Sequence, residues 1–229
     1  MLCACGAEAN EYNPVYLVSS KTIYSVNGNT DSQSTYEYDK SGNLLSVTTD
    51  YPESGEKRIN TYSDYDSNGC YGHMTNNGKE SDVEWEIEDG LPTKMTIVSN
   101  GFTATHTYDE YGRRKSSMYR TNELVTETNW NYDENQVITV NTSLSDKNDN
   151  PSGNTAVWKT DEEGRITSIV YINHANGKNS IESRECRCDE NGNIVEQRDH
   201  NGNLLVELQY VRVDNPSKWA WILAQEPQL

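Results

Sequence analysis

This chain has almost no phenylalanine, few basic residues and no long apolar run. One Phe stands against 15 Tyr and 5 Trp in 229 residues, so its aromatic content is almost wholly amphipathic. Lys and Arg number 19 against 36 Asp and Glu, a formal net charge of -17. Charge of that sign repels a phosphate backbone, which excludes DNA and RNA as partners. The longest apolar patch is residues 219–224, WAWILA, far short of the roughly 20 residues a membrane-spanning helix needs. Hydrophobic residues make up 33% and mean hydropathy is -0.90, values that drift toward chains too poor in apolar surface to offset conformational entropy. The Tyr and Trp content argues the other way. It describes a folded chain with thin packing, in which each Tyr buries its ring and keeps its hydroxyl wet. The length suits one large all-β domain or two small ones.

Catalytic signatures are missing too. The sequence has no G-x-S-x-G elbow, no H-E-x-x-H, no P-loop and no glycine-rich dinucleotide fingerprint, so it nominates no catalytic residue and no cofactor. Residues 64–69, DYDSNG, match the start of a calcium loop, but the twelfth position is Thr75 instead of Glu. Residues 146–150, DKNDN, have Pro151 where the Gly belongs and Val157 at the twelfth position. Both are read as turns, and no metal site is expected. The five cysteines are Cys3, Cys5, Cys70, Cys186 and Cys188. On an extended strand Cys186 and Cys188 point to one face about 7 Å apart, too far for an unstrained disulfide. His73, His106, His174 and His200 are scattered along the chain and complete no metal set with them.

What recurs is one phrase. Residues 36–47 read YEYDKSGNLLSV, and the same order of aromatic, aromatic, Asp, Gly returns along the chain. Copies stand at 62–69 (YSDYDSNG), 108–113 (YDEYGR), 130–133 (WNYD), 158–166 (WKTDEEGRI), 186–194 (CRCDENGNI) and, worn, at 213–219 (VDNPSKW). The aspartates at 39, 66, 109, 133, 161, 189 and 214 are spaced by 27, 43, 24, 28, 28 and 25 residues. The long gap hides a degenerate copy at 85–91, WEIEDGL, whose turn is shorter by about two residues.

The recurring phrase resembles the YD repeat of the Rhs family, Y-x-Y-D-x-x-G-N/R-L, also found in teneurins and insecticidal toxin-complex proteins. The resemblance covers nearly all of residues 36–219. It implies one β-hairpin per repeat, packed side by side into a long sheet that spirals into a hollow shell in full-length relatives. Those relatives also carry a self-cleaving aspartyl module and a toxin, and neither has a match here.

Elementary turn chemistry leads to the same fold. Asp opens a turn because its carboxylate accepts N–H bonds from residues just ahead, and Gly supplies the positive φ that a short hairpin loop requires. Between the signature turns lies a second set of reversals, near residues 52, 76, 99, 120, 146, 174 and 199. The expected fold is therefore all-β: an antiparallel up-and-down meander of roughly sixteen strands from tandem hairpin repeats. One rim carries uniform Asp turns and the other carries loops of unequal length. Strand twist coils so wide a sheet into an open sheet, a shell fragment or a barrel. Alternation puts Tyr36 with Tyr38 on one face, and Leu45 with Val47 and Thr49. The motif aromatics should stack as an inner ladder of Tyr36/Tyr38, Trp85/Ile87, His106/Tyr108, Trp130/Tyr132 and Trp158. Tyr36, Tyr38, Tyr108, Trp130, Tyr132 and Trp158 are also the candidate ligand-binding residues, since rows of such rings bind sugars. A structural role, holding neighbouring hairpins together, is favoured for them.

Residues 2–6, LCACG, resemble a bacterial lipobox with Cys5 as the lipidated residue, although a charged and then apolar leader does not precede them. The expected organisation is a lipobox remnant and tether over 1–13, a single repeat domain over 14–224 and a tail over 225–229. The functional expectation is a non-enzymatic, exported protein of the bacterial cell envelope, anchored by lipid at Cys5. It would act as a binding module for a surface glycan or protein, with the variable-loop rim as the place of recognition. The alternatives are a structural shell segment assembling, with itself included, through exposed sheet edges, and a glycan hydrolase.

Overall fold

The computed structural model describes residues 13–89, 91–99, 102–110, 113–121, 124–132, 138–146, 152–160, 165–175 and 178–224. Among them the chain forms β1 (Val15–Tyr24), β2 (Thr30–Tyr38), β3 (Leu44–Tyr51), β4 (Glu56–Tyr65), β5 (Tyr71–Asn76), β6 (Lys79–Glu88), β7 (Leu91–Ser99) and β8 (Phe102–Tyr108). It continues as β9 (Arg114–Thr121), β10 (Leu124–Tyr132), β11 (Ile138–Asp146), β12 (Ser152–Thr160), β13 (Ile166–Ala175), β14 (Lys178–Cys188), β15 (Ile194–Arg198) and β16 (Leu204–Val213), then a short helix α1 (Lys218–Leu223). Consecutive strands pair antiparallel, and β1 also pairs with β16, from Val15↔Val213 to Ile23↔Val206. The meander therefore closes into a barrel. Closure removes the basis of assembly through sheet edges, because the first and last strands occupy each other's ladder groups.

The signature turns owe their shape to aspartate. At Asp39 the backbone N–H donates to the Asn43 carbonyl (2.9 Å), and Gly42 N–H donates to the Asp39 carbonyl (3.1 Å). The side chain then binds the loop from within: Oδ1 accepts from Ser41 N (2.8 Å) and Asn43 N (3.0 Å), and Oδ2 accepts from Asn43 Nδ2 (2.8 Å). Gly42 has a φ of 77°, a conformation in which a Cβ is strained. The pattern repeats at Asp66 and Asp189, and at Asp109 the Arg113 guanidinium takes the place of the Asn amide, Nε to Oδ2 2.8 Å. Asp133 and Asp161 lie outside the described residues. In the degenerate copy Glu88 pairs with Leu91, so that reversal takes two residues where the pairing of Tyr38 with Leu44 encloses five. It is shorter by three residues, one more than the sequence implies. The loop at 199–203, on the opposite rim, uses the same aspartate bonds.

Five signature hairpins carry a bulge next to the turn, while β4–β5 and β10–β11 pair without a register shift. Register shifts fall between Glu37 and Tyr38, Glu86 and Ile87, Thr107 and Tyr108, Lys159 and Thr160, and Arg187 and Cys188. An extra residue on the return strand bends it and raises the local twist. Further shifts beside turns of the opposite rim, between Ile23 and Tyr24 and between Gln197 and Arg198, add to the curl of the sheet, which favours closure over an open sheet. The bulge also corrects a face assignment. Tyr38 pairs with Leu44 and Tyr36 with Val47, so Leu45 drops out of the inner row and is 42% exposed.

The second motif aromatic reaches back across the sheet. Tyr65 donates its hydroxyl to the Leu44 carbonyl and Tyr132 to that of Arg114 (2.9 Å), and Tyr210, just before the last copy, makes the same kind of bond to the Ile194 carbonyl (2.8 Å). Cys188 makes the same contact with Ile166, Sγ to O 3.5 Å. Leu44, Arg114, Ile166 and Ile194 each begin the strand that follows the preceding signature turn. At the seam, Tyr38 bonds the Val18 carbonyl (2.8 Å), beside a register shift between Val18 and Ser20. At these five positions one hairpin is tied to the one before it.

Helix α1 packs at the signature end of the barrel. Ser217 N donates to the Ser41 carbonyl (2.7 Å) and Trp219 N to that of Asn68 (2.9 Å), so two signature turns seat it. Trp219 lies edge-on to Trp85 and Tyr108, with ring centroids 4.8 and 5.2 Å away. A Cβ at Gly42 would come within 3.0 Å of both Ala220 and Leu17, so this glycine serves the turn and the helix seat together. The apolar interior is divided among four clusters, around Tyr108 with Trp219, Val206 with Leu208, Leu17 with Ala220, and Trp158 with Ile169.

Outside, β6 alternates strictly. Ser81 and Val83 are buried, while Glu80, Asp82, Glu84, Glu86 and Glu88 are exposed. A strand that faces lipid carries an apolar outer row, and five carboxylates in line make the opposite surface.

Replacing Tyr210 by Phe leaves the buried Ile194 carbonyl without its donor and should lower the unfolding free energy by about 1–3 kcal/mol in urea denaturation. Tyr24→Phe, whose hydroxyl meets the half-buried Glu207 carboxylate at 3.0 Å, leaves no buried backbone carbonyl without a donor and should cost less, about 1 kcal/mol or under.

Candidate functional site

Three neighbouring strands place a chamber on the inner face of the barrel. Register sets β12, β13 and β14 in tiers: Asn154, Asn173 and Ser180; then Ala156, Tyr171 and Glu182; then Trp158, Ile169 and Arg184. Thr142 of β11 extends the first tier beside Asn154. These strands enclose about 400 Å³, within the usual range of ligand pockets. The mouth, on the side of the unequal loops, is amide and hydroxyl, with Asn154, Asn173 and Ser180 exposed. The floor is apolar, with Trp158 and Ile169 at 0% exposure.

Small and large neighbours make the space. Ala156 stands beside Tyr171, so one wall lacks a side chain where the other has a ring. Arg184 bridges the tiers: its guanidinium lies 4.4 Å over the Tyr171 ring, Nε donates to Glu182 Oε1 (2.7 Å) and Nη1 to Gln197 Oε1 (3.3 Å). Burial pushes the Tyr171 hydroxyl above its ordinary pKa, against the opposing pull of Arg184, so it is a neutral donor at physiological pH. Lys21 stands outside this lining, where burial and then the charge of Arg184 lower its pKa. Trp158 Nε1 is buried with no hydrogen-bond partner. An orphan donor of that kind is uncommon in a folded protein.

The aromatics expected from the motif do not form one ladder. A local group runs Tyr62, Tyr71, Trp85 and Tyr108 at centroid spacings of 5.0, 5.8 and 6.2 Å, ending under Trp219. Tyr108 is 6% exposed within it. Ile87, which should pair with Trp85, sits at a bulge and is 37% exposed. Tyr36 and Tyr38 line a separate cleft of about 450 Å³ with Asp39 and Arg212. Tyr132 lies under the Arg113 guanidinium at 4.2 Å. Trp130 packs against the cluster of Trp158 and Ile169, with Arg114 5.5 Å over its ring. Of the six candidates, the structure brings only Trp130 and Trp158 to the chamber region, and Trp158 has no exposed face on which a ligand could stack.

Tyr171, Arg184, Asn154 and Asn173 escaped sequence reasoning because they lie outside the repeated phrase. A signal existed in the alternation of Ile169, Tyr171 and Asn173, which puts a polar and an aromatic residue on one face of a strand. Among the described residues Cys70, Cys186 and Cys188 are in no disulfide, and burial pushes Cys186 up to about 11. Asp66 of the first calcium-like stretch is committed to its turn. Residues 147–151 of the second, and Cys3 and Cys5 with the rest of 1–12, lie outside the described residues. Among the described residues no cluster of three or more His, Cys, Asp or Glu could hold a metal.

No protein-family model matches this chain, and neither does any curated protein. Solved structures do. A porin-like protein from Bacteroides uniformis ATCC 8492 aligns at 10% identity over 88% of this chain and 97% of its own, with a TM-score of 0.52, a likeness of fold. A porin-like protein from Bacteroides vulgatus ATCC 8482 aligns at 12% identity over 85% and 98%, with a TM-score of 0.42. The TcdB2-TccC3 structure aligns at 13% identity over 91% of this chain, with a TM-score of 0.43; this chain spans 12% of that one.

His106, placed in the ladder by its position, is buried and bonded through Nδ1 to Ser117 Oγ at 2.5 Å. Burial, and then the charge of Arg114, lower its pKa from 6.5 to about 4. Below 6.5 the unfolded chain takes up a proton that the folded chain refuses, so stability falls as pH drops through this window. His106→Gln should flatten the fall between those limits by up to about 3 kcal/mol, read from denaturation midpoints at several pH values.

Proposed function

We propose that this chain is a non-enzymatic binding module of the bacterial cell envelope, built as a barrel of YD-type repeats. Its ligand is a glycan or a protein segment received in the barrel lumen. The observation that supports this reading is the chamber: a space of about 400 Å³ with a polar mouth, held on four strands. At the opposite end of the barrel α1 packs against the signature turns at Ser41 and Asn68. Glu182 is the one carboxylate in the chamber lining, and it is engaged by Arg184. Hydrolysis of a glycosidic bond by the usual route needs a pair of carboxylates, which weighs against the hydrolase reading.

The YD-type assignment draws support from the turn chemistry, since Asp39, Asp66, Asp109 and Asp189 make the same bonds on one rim. Envelope attachment rests on the lipobox-like residues 2–6 with acylation at Cys5. The carboxylate row of β6 favours a barrel that stands in water, with lipid contact left to the anchor.

Retention on an array of immobilised envelope glycans and envelope proteins tests the proposal. Specific retention that soluble ligand competes away, with the ligand recovered chemically unchanged, is expected. Failure to bind either class, or recovery of a cleaved ligand, overturns it.

A further inference from the structure

We propose that the chamber takes a neutral oligosaccharide, read at its mouth by Asn154, Asn173 and Ser180 and held below by Tyr171, above a floor that Trp158 builds. This inference rests on the binding-module reading and names its ligand class.

The tiers carry the argument. Thr142, Asn154, Asn173 and Ser180 stand on four successive strands about 4.8 Å apart, so the mouth is about 14 Å wide. Its side chains offer two carboxamides and two hydroxyls, paired donors and acceptors that match the hydroxyls of a sugar ring. The next tier supplies one aromatic ring beside one methyl group, Tyr171 beside Ala156, which gives the C–H edges of such a ring an apolar wall. An extended peptide would ask for unpaired strand edges or apolar pockets, and this mouth has neither.

Charge narrows the class further. Glu182 and Arg184 are joined at 2.7 Å, so the lining carries no net charge. The chain as a whole carries -17, which opposes entry of an anionic ligand. A neutral, hydroxyl-rich occupant fits both facts. At the floor, Trp158 Nε1 has no partner although the residue is 0% exposed.

The test is a nitrogen–proton NMR titration of the full chain with cellotriose, maltotriose and chitotriose. Glucuronic acid and a blocked tripeptide serve as comparison probes. At least one neutral trisaccharide should shift the Trp158 indole signal and the Asn173 side-chain amide in a saturable way. Ala156→Phe, which fills the space beside Tyr171, should weaken that binding at least about tenfold. Should Ala156→Phe fail to fold, the exposed pair Asn173→Ala with Ser180→Ala should give the same loss. Saturable binding of glucuronic acid or the tripeptide alone overturns the neutral-sugar class and leaves the binding-module reading standing. Binding that survives in both variants places the site elsewhere and overturns the chamber. Silence from every probe overturns the inference, and the array experiment then decides the broader reading separately.

Discussion

The bond from a motif tyrosine to a backbone carbonyl of the preceding repeat is the constraint on which this barrel depends. A hairpin is marginal alone, and here few residues are apolar enough to hold hairpins together by burial. The hydroxyls of Tyr65 and Tyr132 on the Leu44 and Arg114 carbonyls, with Tyr210 on that of Ile194, join their hairpins to the preceding ones at a defined height. The carbonyl sits at the bulge, where the ladder is locally interrupted and an acceptor needs another partner. Aspartate completes the unit by locking the turn, so turn, bulge and staple form one repeated device. Cys188 on Ile166 keeps the geometry with a weaker donor, which makes that repeat a softened copy.

Curvature follows from the same device. Bulges recur beside most signature turns, and α1 packs at that rim, where its Trp219 lies against Trp85 and Tyr108. Apolar packing extends from there to Leu205 and Val206 near the other rim. The other end is polar where the chamber stands, among Asn154, Asn173 and Tyr171. Scaffold and site occupy opposite ends because the repeated phrase organises only one of them.

How much was legible in the sequence divides along that line. Asp39, Gly42 and Asn43 could be read as a turn from their chemistry alone, and the strand count follows once the second set of reversals is found. The bulges could not be read, because an inserted residue leaves the alternation of Leu45, Val47 and Thr49 intact on paper while shifting Leu45 out of the row. Closure was beyond reach for a related reason: twist per strand sets whether a sheet meets itself, and bulges set the twist. The chamber depends on which residues of β12, β13 and β14 fall level with one another. Ala156 beside Tyr171 is a matter of register, invisible until the strands are paired.

The seam between β1 and β16 joins residues 15–23 to residues 206–213, nearly the whole length of the chain. While a ribosome is still making the last strands, the growing sheet has two open borders that the finished ring lacks. Such a border is a template for any other nascent copy. The ring is consequently safe from fibrous self-association only once it is whole, and the late arrival of β16, with α1 behind it, is the event that withdraws the hazard.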